Sequence, residues 1–151
     1  VENLFASETG YQTPKIDTRA AIFKENKILL VQEANGTWAL PGGWCDVDQS
    51  VKENTIKEVK EEAGLNVVLD KVIAVQDRDK HNQPPYAYKI CKIFSLCHAT
   101  GGAFTKNLET IASDYFERDQ LPTLAQAKTN EDQIQMCFAA YENDDWKTVI
   151  D

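Results

Sequence analysis

Apolar residues first recur at helical spacing in Val1, Leu4 and Phe5, with Gly10 placed as a stop. So short a stretch is not a stable helix by itself. It reads as the end of an N-terminal helical region, and Gly10-Tyr11-Gln12-Thr13-Pro14 reads as a linker. Residues 1–14 are therefore set apart as remnant and linker, and residues 15–151 as one domain. From Ile16 the pattern changes to strand formers, Ile16–Lys24 and Lys27–Gln32, with Glu25-Asn26 between them as a hairpin turn. Trp38–Leu40 is a further short strand, ended by Pro41-Gly42-Gly43.

A helix follows with clear punctuation. Ser50-Val51-Lys52-Glu53 has the form of a capping box and Gly64 supplies the stop. Between them Thr55, Ile56, Val59 and Ala63 fall on one arc, facing the core. Leu65–Val75 and Tyr86–His98 read as strands separated by the polar loop Asp77–Pro85, Gly101-Gly102 as a turn, and Ala112–Phe116 as a last strand. Ile134, Cys137, Phe138 and Tyr141 mark an amphipathic helix over Asn130–Asn143. The order predicts an α/β fold, a mixed sheet flanked by helices.

Composition narrows the classes. A chain of 151 residues with 42% hydrophobic and 26% charged residues suits one globular domain. No apolar run approaches the length of a membrane span, and no signal-like segment opens the chain. A net charge of −8 disfavours duplex nucleic acid. Cys45, Cys91, Cys97 and Cys137 form no C-x-x-C pair, which points to buried, reduced thiols and a cytoplasmic protein.

Chemistry concentrates in Lys57-Glu58-Val59-Lys60-Glu61-Glu62-Ala63-Gly64-Leu65. On a helix, Glu58, Glu61 and Glu62 share one face. There they repel one another and sit against the negative end of the helix dipole. Hard divalent cations such as Mg²⁺ or Mn²⁺ would remove both penalties; a solvated acidic face is the other reading. Pro41-Gly42-Gly43 lies just upstream, allowing close backbone approach.

With those glycines the stretch resembles the Nudix hydrolase family, whose box is G-x5-E-x7-R-E-U-x-E-E-x-G-U, U being bulky and apolar. Here it runs from Gly43 to Leu65, preceded by Trp38-Ala39-Leu40-Pro41-Gly42. Two positions depart, Gln49 where the family has Glu and Lys57 where it has Arg. In the family that pair braces the loop against the helix. Lys57 is instead spaced to join Glu53 and Glu61 on the helix surface.

The resemblance implies an α/β/α sandwich with a central mixed sheet. It also implies metal ligation by Glu58, Glu61, Glu62 and the Gly42 carbonyl, and hydrolysis of a nucleoside diphosphate linked to a moiety X through Mg²⁺ or Mn²⁺ and an activated water. A further carboxylate beyond the box is expected, Glu109 ahead of Asp114, with an ordinary surface acid as the alternative. Arg19 and Arg78 are candidate phosphate contacts, since guanidinium forks suit phosphoryl oxygens. His81 is a candidate phosphate or base contact. Trp44 is the candidate for stacking on a base, while Trp38 and Tyr88 are assigned to packing.

Trp44, Lys57 and the loop Lys80–Pro85 resemble a subgroup that includes CDP-choline pyrophosphatases and ADP-ribose pyrophosphatases and carries an N-terminal helical region. The expected activity is cleavage of CDP-choline or a related CDP-alcohol. ADP-ribose or another nucleotide sugar is the alternative, and Gln49 keeps a non-catalytic nucleotide sensor in view. Attack on RNA terminal phosphates is a further reading. A small-molecule nucleotide is the expected partner, and a homodimer would fit the family.

Overall fold

Strand β1 (Lys15–Lys24) runs through the middle of the molecule in the computed structural model, which describes residues 12–151. The expected N-terminal helical remnant lies outside the described residues. Thr18–Ile22 are buried whichever way they point, because a helix covers each face of the sheet. Ala20 and Ile22 pack with Val59 and Ala63, and Ala21 with Ile134, Cys137 and Phe138. Successive β1 side chains thus serve two cores on opposite faces.

β1 and β2 (Lys27–Glu33) form the expected hairpin, with Phe23 opposite Ile28 and Lys24 opposite Lys27. β2 also pairs with β3 (Trp38–Ala39) and β7 (Thr110–Phe116), both antiparallel. Along its N-terminal half β1 carries β4 (Gly42–Trp44) antiparallel on one side and β6 (Ile90–Gly102) parallel on the other. β6 continues antiparallel to β5 (Leu65–Asp77), and β5 holds β8 (Val149–Ile150) parallel. The mixed sheet and its two helices make the expected α/β sandwich.

Helix α1 (Val51–Ala63) begins at the capping box of Ser50 and Glu53 and ends at Gly64, whose φ of 72° is left-handed. α2 (Glu131–Glu142) has its own box, formed by Asn130 and Gln133. Thr55, Val59 and Ala63 are buried as the arc requires, with Ile56 at the edge of that core.

Three readings are corrected, and one strand was missed. Gly101 and Gly102 are the end of β6, opposite Asn66 and Leu65, rather than a turn. A Cβ on Gly102 would overlap the Gly64 carbonyl, so close approach explains the glycine. Tyr86–Lys89 are exposed loop, and the strand starts at Ile90. β8 was not foreseen, since two exposed residues carry no periodicity. Of the thiols expected to be buried, Cys97 and Cys137 are; Cys45 and Cys91 are half-buried, and all four are free. Among the described residues no helix is long and apolar enough to cross a membrane.

Candidate active site

Pairing of β4 with β1 sets Gly42 opposite Arg19, Gly43 opposite Thr18 and Trp44 opposite Asp17. β4 is short and nearly bare, and α1 leans its glutamates over it. A Cβ at Gly42 would overlap the Thr18 carbonyl, and one at Gly43 would overlap Glu58 Oε1. Both glycines exist for close approach. One lets β4 lie against β1; the other leaves room for a carboxylate. The Gly42 amide donates to Glu62 Oε1 at 3.4 Å.

Glu58 and Glu62 are half-buried and line a cavity of about 370 Å³. Burial, then a hydrogen bond to Glu61 and its charge, pushes the Glu58 carboxyl up to about 7. Burial pushes Glu62 up to about 8, Glu58 adding to the shift while Arg19 opposes it. Glu61 is exposed and lies outside this cavity, facing a shallow hollow with Ile56 and Lys60.

Among the described residues no three His, Cys, Asp or Glu side chains are gathered into a ready metal cage. Mg²⁺ does not require one. It retains waters and is held through one or two carboxylates together with substrate phosphates. Two half-buried carboxylates that resist ionisation alone, aimed into a cavity beside bare backbone, fit such a hard cation.

The cavity floor is ionic. Asp17 accepts from Arg19 Nε at 2.9 Å and Nη2 at 3.0 Å, and from Lys92 Nζ at 2.6 Å. Arg19 Nη1 donates to the Leu40 carbonyl at 2.8 Å. Burial works against the Asp17 charge, but Arg19 and Lys92 outweigh it and hold the carboxyl well below its ordinary range. Lys92 is pushed down to about 8 by burial and by Arg19, despite Asp17. Arg78, in the short 3-10 turn after β5, donates to the carbonyls of Ala127 at 3.1 Å and Pro84 at 2.9 Å. Its guanidinium lies 5.5 Å from the Tyr86 ring centre.

Trp44 stands at the rim, 43% exposed, with Tyr86 and Tyr88 each 6.3 Å away edge-on. Lys15 Nζ sits 4.8 Å from the Trp44 ring. Tyr88 is 51% exposed, so its assignment to packing is corrected, whereas Trp38 does pack, edge-on to Phe116. Glu109 is exposed at the cavity mouth, on a loop that Asn107 ties to α1 through the Glu61 carbonyl. Asp114 lies on β7 away from the cavity and accepts from the Tyr115 amide. His81 also lies elsewhere. Its Nε2 meets Asp151 at 2.9 Å, fastening the chain end, and it does not border the cavity.

The loop brace has a different partner from the expected ladder. Lys57 pairs with Asp46, while Gln49 reaches only the Asp48 carbonyl at 3.5 Å. Buried Asn54 backs this brace, donating to Thr18 Oγ1 at 3.0 Å and accepting from the Asp46 amide at 3.2 Å. Asp17, Lys92 and Asn54 were not singled out from sequence. The available signal for the first two was a charge set inside an otherwise apolar strand, Ile16-Asp17-Thr18-Arg19-Ala20 and Ile90-Cys91-Lys92-Ile93-Phe94.

Residues 13–139 match the NUDIX domain. A Bacillus subtilis protein, YjhB, whose name provisionally assigns it ADP-ribose pyrophosphatase activity, is 40% identical over 152 residues, covering 100% of this chain and 73% of its own. The crystal structure of an ADP-ribose pyrophosphatase from Streptococcus suis is 52% identical with a TM-score of 0.87, covering 92% of this chain and 100% of that one. That of a UDP-X diphosphatase is 30% identical with a TM-score of 0.86, covering 98% of this chain and 72% of that one.

Proposed function

This chain belongs to the NUDIX domain family and is a Nudix hydrolase, and from that premise we propose that it hydrolyses ADP-ribose, or a closely similar nucleotide sugar, to a nucleoside monophosphate and a sugar phosphate. The names of two of the similar proteins favour ADP-ribose over the CDP-alcohol expected from sequence. The observation that carries the reading is the pairing of half-buried Glu58 and Glu62 with bare Gly42-Gly43 on the wall of a cavity whose floor is cationic.

Glu58 and Glu62 would hold Mg²⁺ or Mn²⁺, with Glu61 assisting from outside and the Gly42 carbonyl as a further oxygen donor. Such a cation, when bound, neutralises diphosphate charge and lowers the pKa of a water. The residues supply the rest. Trp44 offers a flat face to the base at the rim. Arg78 and Lys92 present donors to phosphate oxygens, and Arg19 holds the Asp17 carboxylate among them. Glu109, at the mouth on a tethered loop, is the candidate to accept the proton of the attacking water. His81 has no part in this scheme.

The test is a substrate panel of ADP-ribose, UDP-glucose and CDP-choline with Mg²⁺ or Mn²⁺, scored by product identity. Release of AMP and ribose 5-phosphate at the highest kcat/KM is the expected result, with a loss on the order of 100-fold or more in Glu62→Gln. Fastest release of CMP and phosphocholine would restore the CDP-alcohol reading. Tight binding with no product from any compound would make this chain a sensor.

A further inference from the structure

Three uncharged amides are buried together behind the cavity. Gln76 stands near the end of β5, Asn82 follows the short 3-10 turn, and Gln133, 1% exposed, lies in the first turn of α2. Gln133 and Asn82 exchange two hydrogen bonds head to head. Gln133 Nε2 donates to Asn82 Oδ1 at 2.7 Å, and Asn82 Nδ2 donates to Gln133 Oε1 at 3.1 Å. Gln133 Nε2 also donates to Gln76 Oε1 at 3.0 Å, and its Oε1 accepts from the Asn130 amide at 2.9 Å. Both N–H groups and both lone pairs of the Gln133 side chain are thereby used, so its amide has a single orientation.

None of the three borders the cavity, yet what they hold leads to Arg78, which does. Asn82 Nδ2 donates to the Gln126 carbonyl at 2.9 Å, one residue before the carbonyl that takes Arg78 Nε. Asn82 also stands two residues before Pro84, whose carbonyl takes Arg78 Nη1. Asn130 Nδ2 donates to the His81 carbonyl at 2.7 Å, so the cap of α2 grips the same turn. Two guanidinium nitrogens are tied to backbone that the amides fix, and Nη2 has no hydrogen-bond partner among the described residues. That nitrogen is left for a ligand in the cavity. Stability alone does not call for such a cluster, since paired amides can be replaced by apolar groups of like shape at little cost. A fully satisfied buried network differs from an apolar one in admitting a single arrangement.

We propose that Gln133 is a positioning residue for substrate binding: from behind the turn it fixes, through Asn82 and Asn130, the backbone that aims Arg78. The role of Arg78 toward phosphate rests on the proposed function; the fixing of its turn does not. Arg78 would meet the diphosphate before and during reaction alike. Losing its aim therefore weakens ground state and transition state together, which raises KM and spares kcat.

Steady-state kinetics with ADP-ribose and Mg²⁺ should show KM raised about tenfold in Gln133→Met, with kcat close to wild type. Asn130→Ser keeps a capping oxygen for α2 and loses the donor to His81, so it should fold as wild type and raise KM in the same direction. In an Arg78→Met background neither change should raise KM further. Should Gln133→Met fail to fold, Asn130→Ser and its combination with Arg78→Met decide. A fall in kcat with KM unmoved, an unchanged KM in Asn130→Ser, or effects that simply add to that of Arg78→Met overturn the proposal.

Hydrogen–deuterium exchange of the free chain gives a readout that needs no substrate. The amides of His81 and Asn82 both donate to the Arg78 carbonyl. They should exchange about tenfold faster in Gln133→Met, and faster in Asn130→Ser, while the amides of α1 keep their wild-type rates. Wild-type exchange at both positions in the folded variants overturns the proposal. If wild type does not turn over ADP-ribose, the proposed function falls and the exchange rates alone decide the positioning.

Discussion

Glu58 Oε1 occupies the space in which a side chain at position 43 would begin. The glycine belongs to β4 and the glutamate to α1, so the bare backbone of an edge strand sets where this carboxylate rests. In Gly43→Ala the carboxylate must move, and a shift of about 1 Å is enough to cost on the order of 100-fold in rate. The expected outcome is a large fall in kcat with a thermal midpoint close to wild type, read by steady-state kinetics and scanning calorimetry.

Burial raises Glu58 to about 7 and Glu62 to about 8, against an ordinary value of 4.5. The folded chain therefore keeps protons that the unfolded chain gives up. Their contribution to stability is present below pH 4.5 and is lost as pH climbs through 7 to 8. Glu62→Gln should raise the melting temperature in EDTA at pH 8, at about 2–4 °C per kcal/mol recovered, and change it little at pH 4. Mg²⁺ should stabilise wild type more at pH 8 than at pH 6, because deprotonated carboxylates bind it better. Equal gains at both pH values would contradict the shifts.

Asp17 shows the opposite sign. Its carboxyl is held below the ordinary range because Arg19 and Lys92 outweigh burial, so its contribution is present at neutral pH and lost in acid. Asp17→Asn keeps the shape and leaves two buried cations facing each other. Chemical denaturation at pH 7 should show a loss of about 3–5 kcal/mol.

The pair Lys57–Asp46 is partly exposed, so its worth to stability is small, about 0.2–1 kcal/mol in a double-mutant cycle. Its effect should appear in activity instead, because it holds the loop that leaves Trp44 toward α1. Asp46→Asn should raise KM severalfold with little change in melting temperature.

The hairpin turn Glu25-Asn26 has both residues left-handed, at φ 52° and 64°. That conformation is costly for a residue with a Cβ, roughly 1–2 kcal/mol and less for Asn. Glu25→Asn combined with Asn26→Gly should raise unfolding free energy by about 1 kcal/mol and leave turnover unchanged.

Local order along the chain was legible because local rules create it. Ser50, Glu53 and Gly64 bound α1 through bonds that span only a few residues, and the arc of Thr55, Val59 and Ala63 needs only a helical period to find the core. Glu58 and Glu62 were readable for the same reason. The spacing that sets them on one face is a property of the helix alone.

Only the tertiary structure decided what those glutamates face. The salt-bridged floor joins Asp17 to Lys92, seventy-five positions apart, through a parallel pairing of β1 with β6 that no turn residue announces. Tertiary placement also exposed Tyr88, carried His81 to Asp151 and gave Lys57 a partner in Asp46 rather than in its own helix. Periodicity records which way a side chain points relative to its own element. Which charge it meets depends on strand register and loop path, settled by packing across the whole chain.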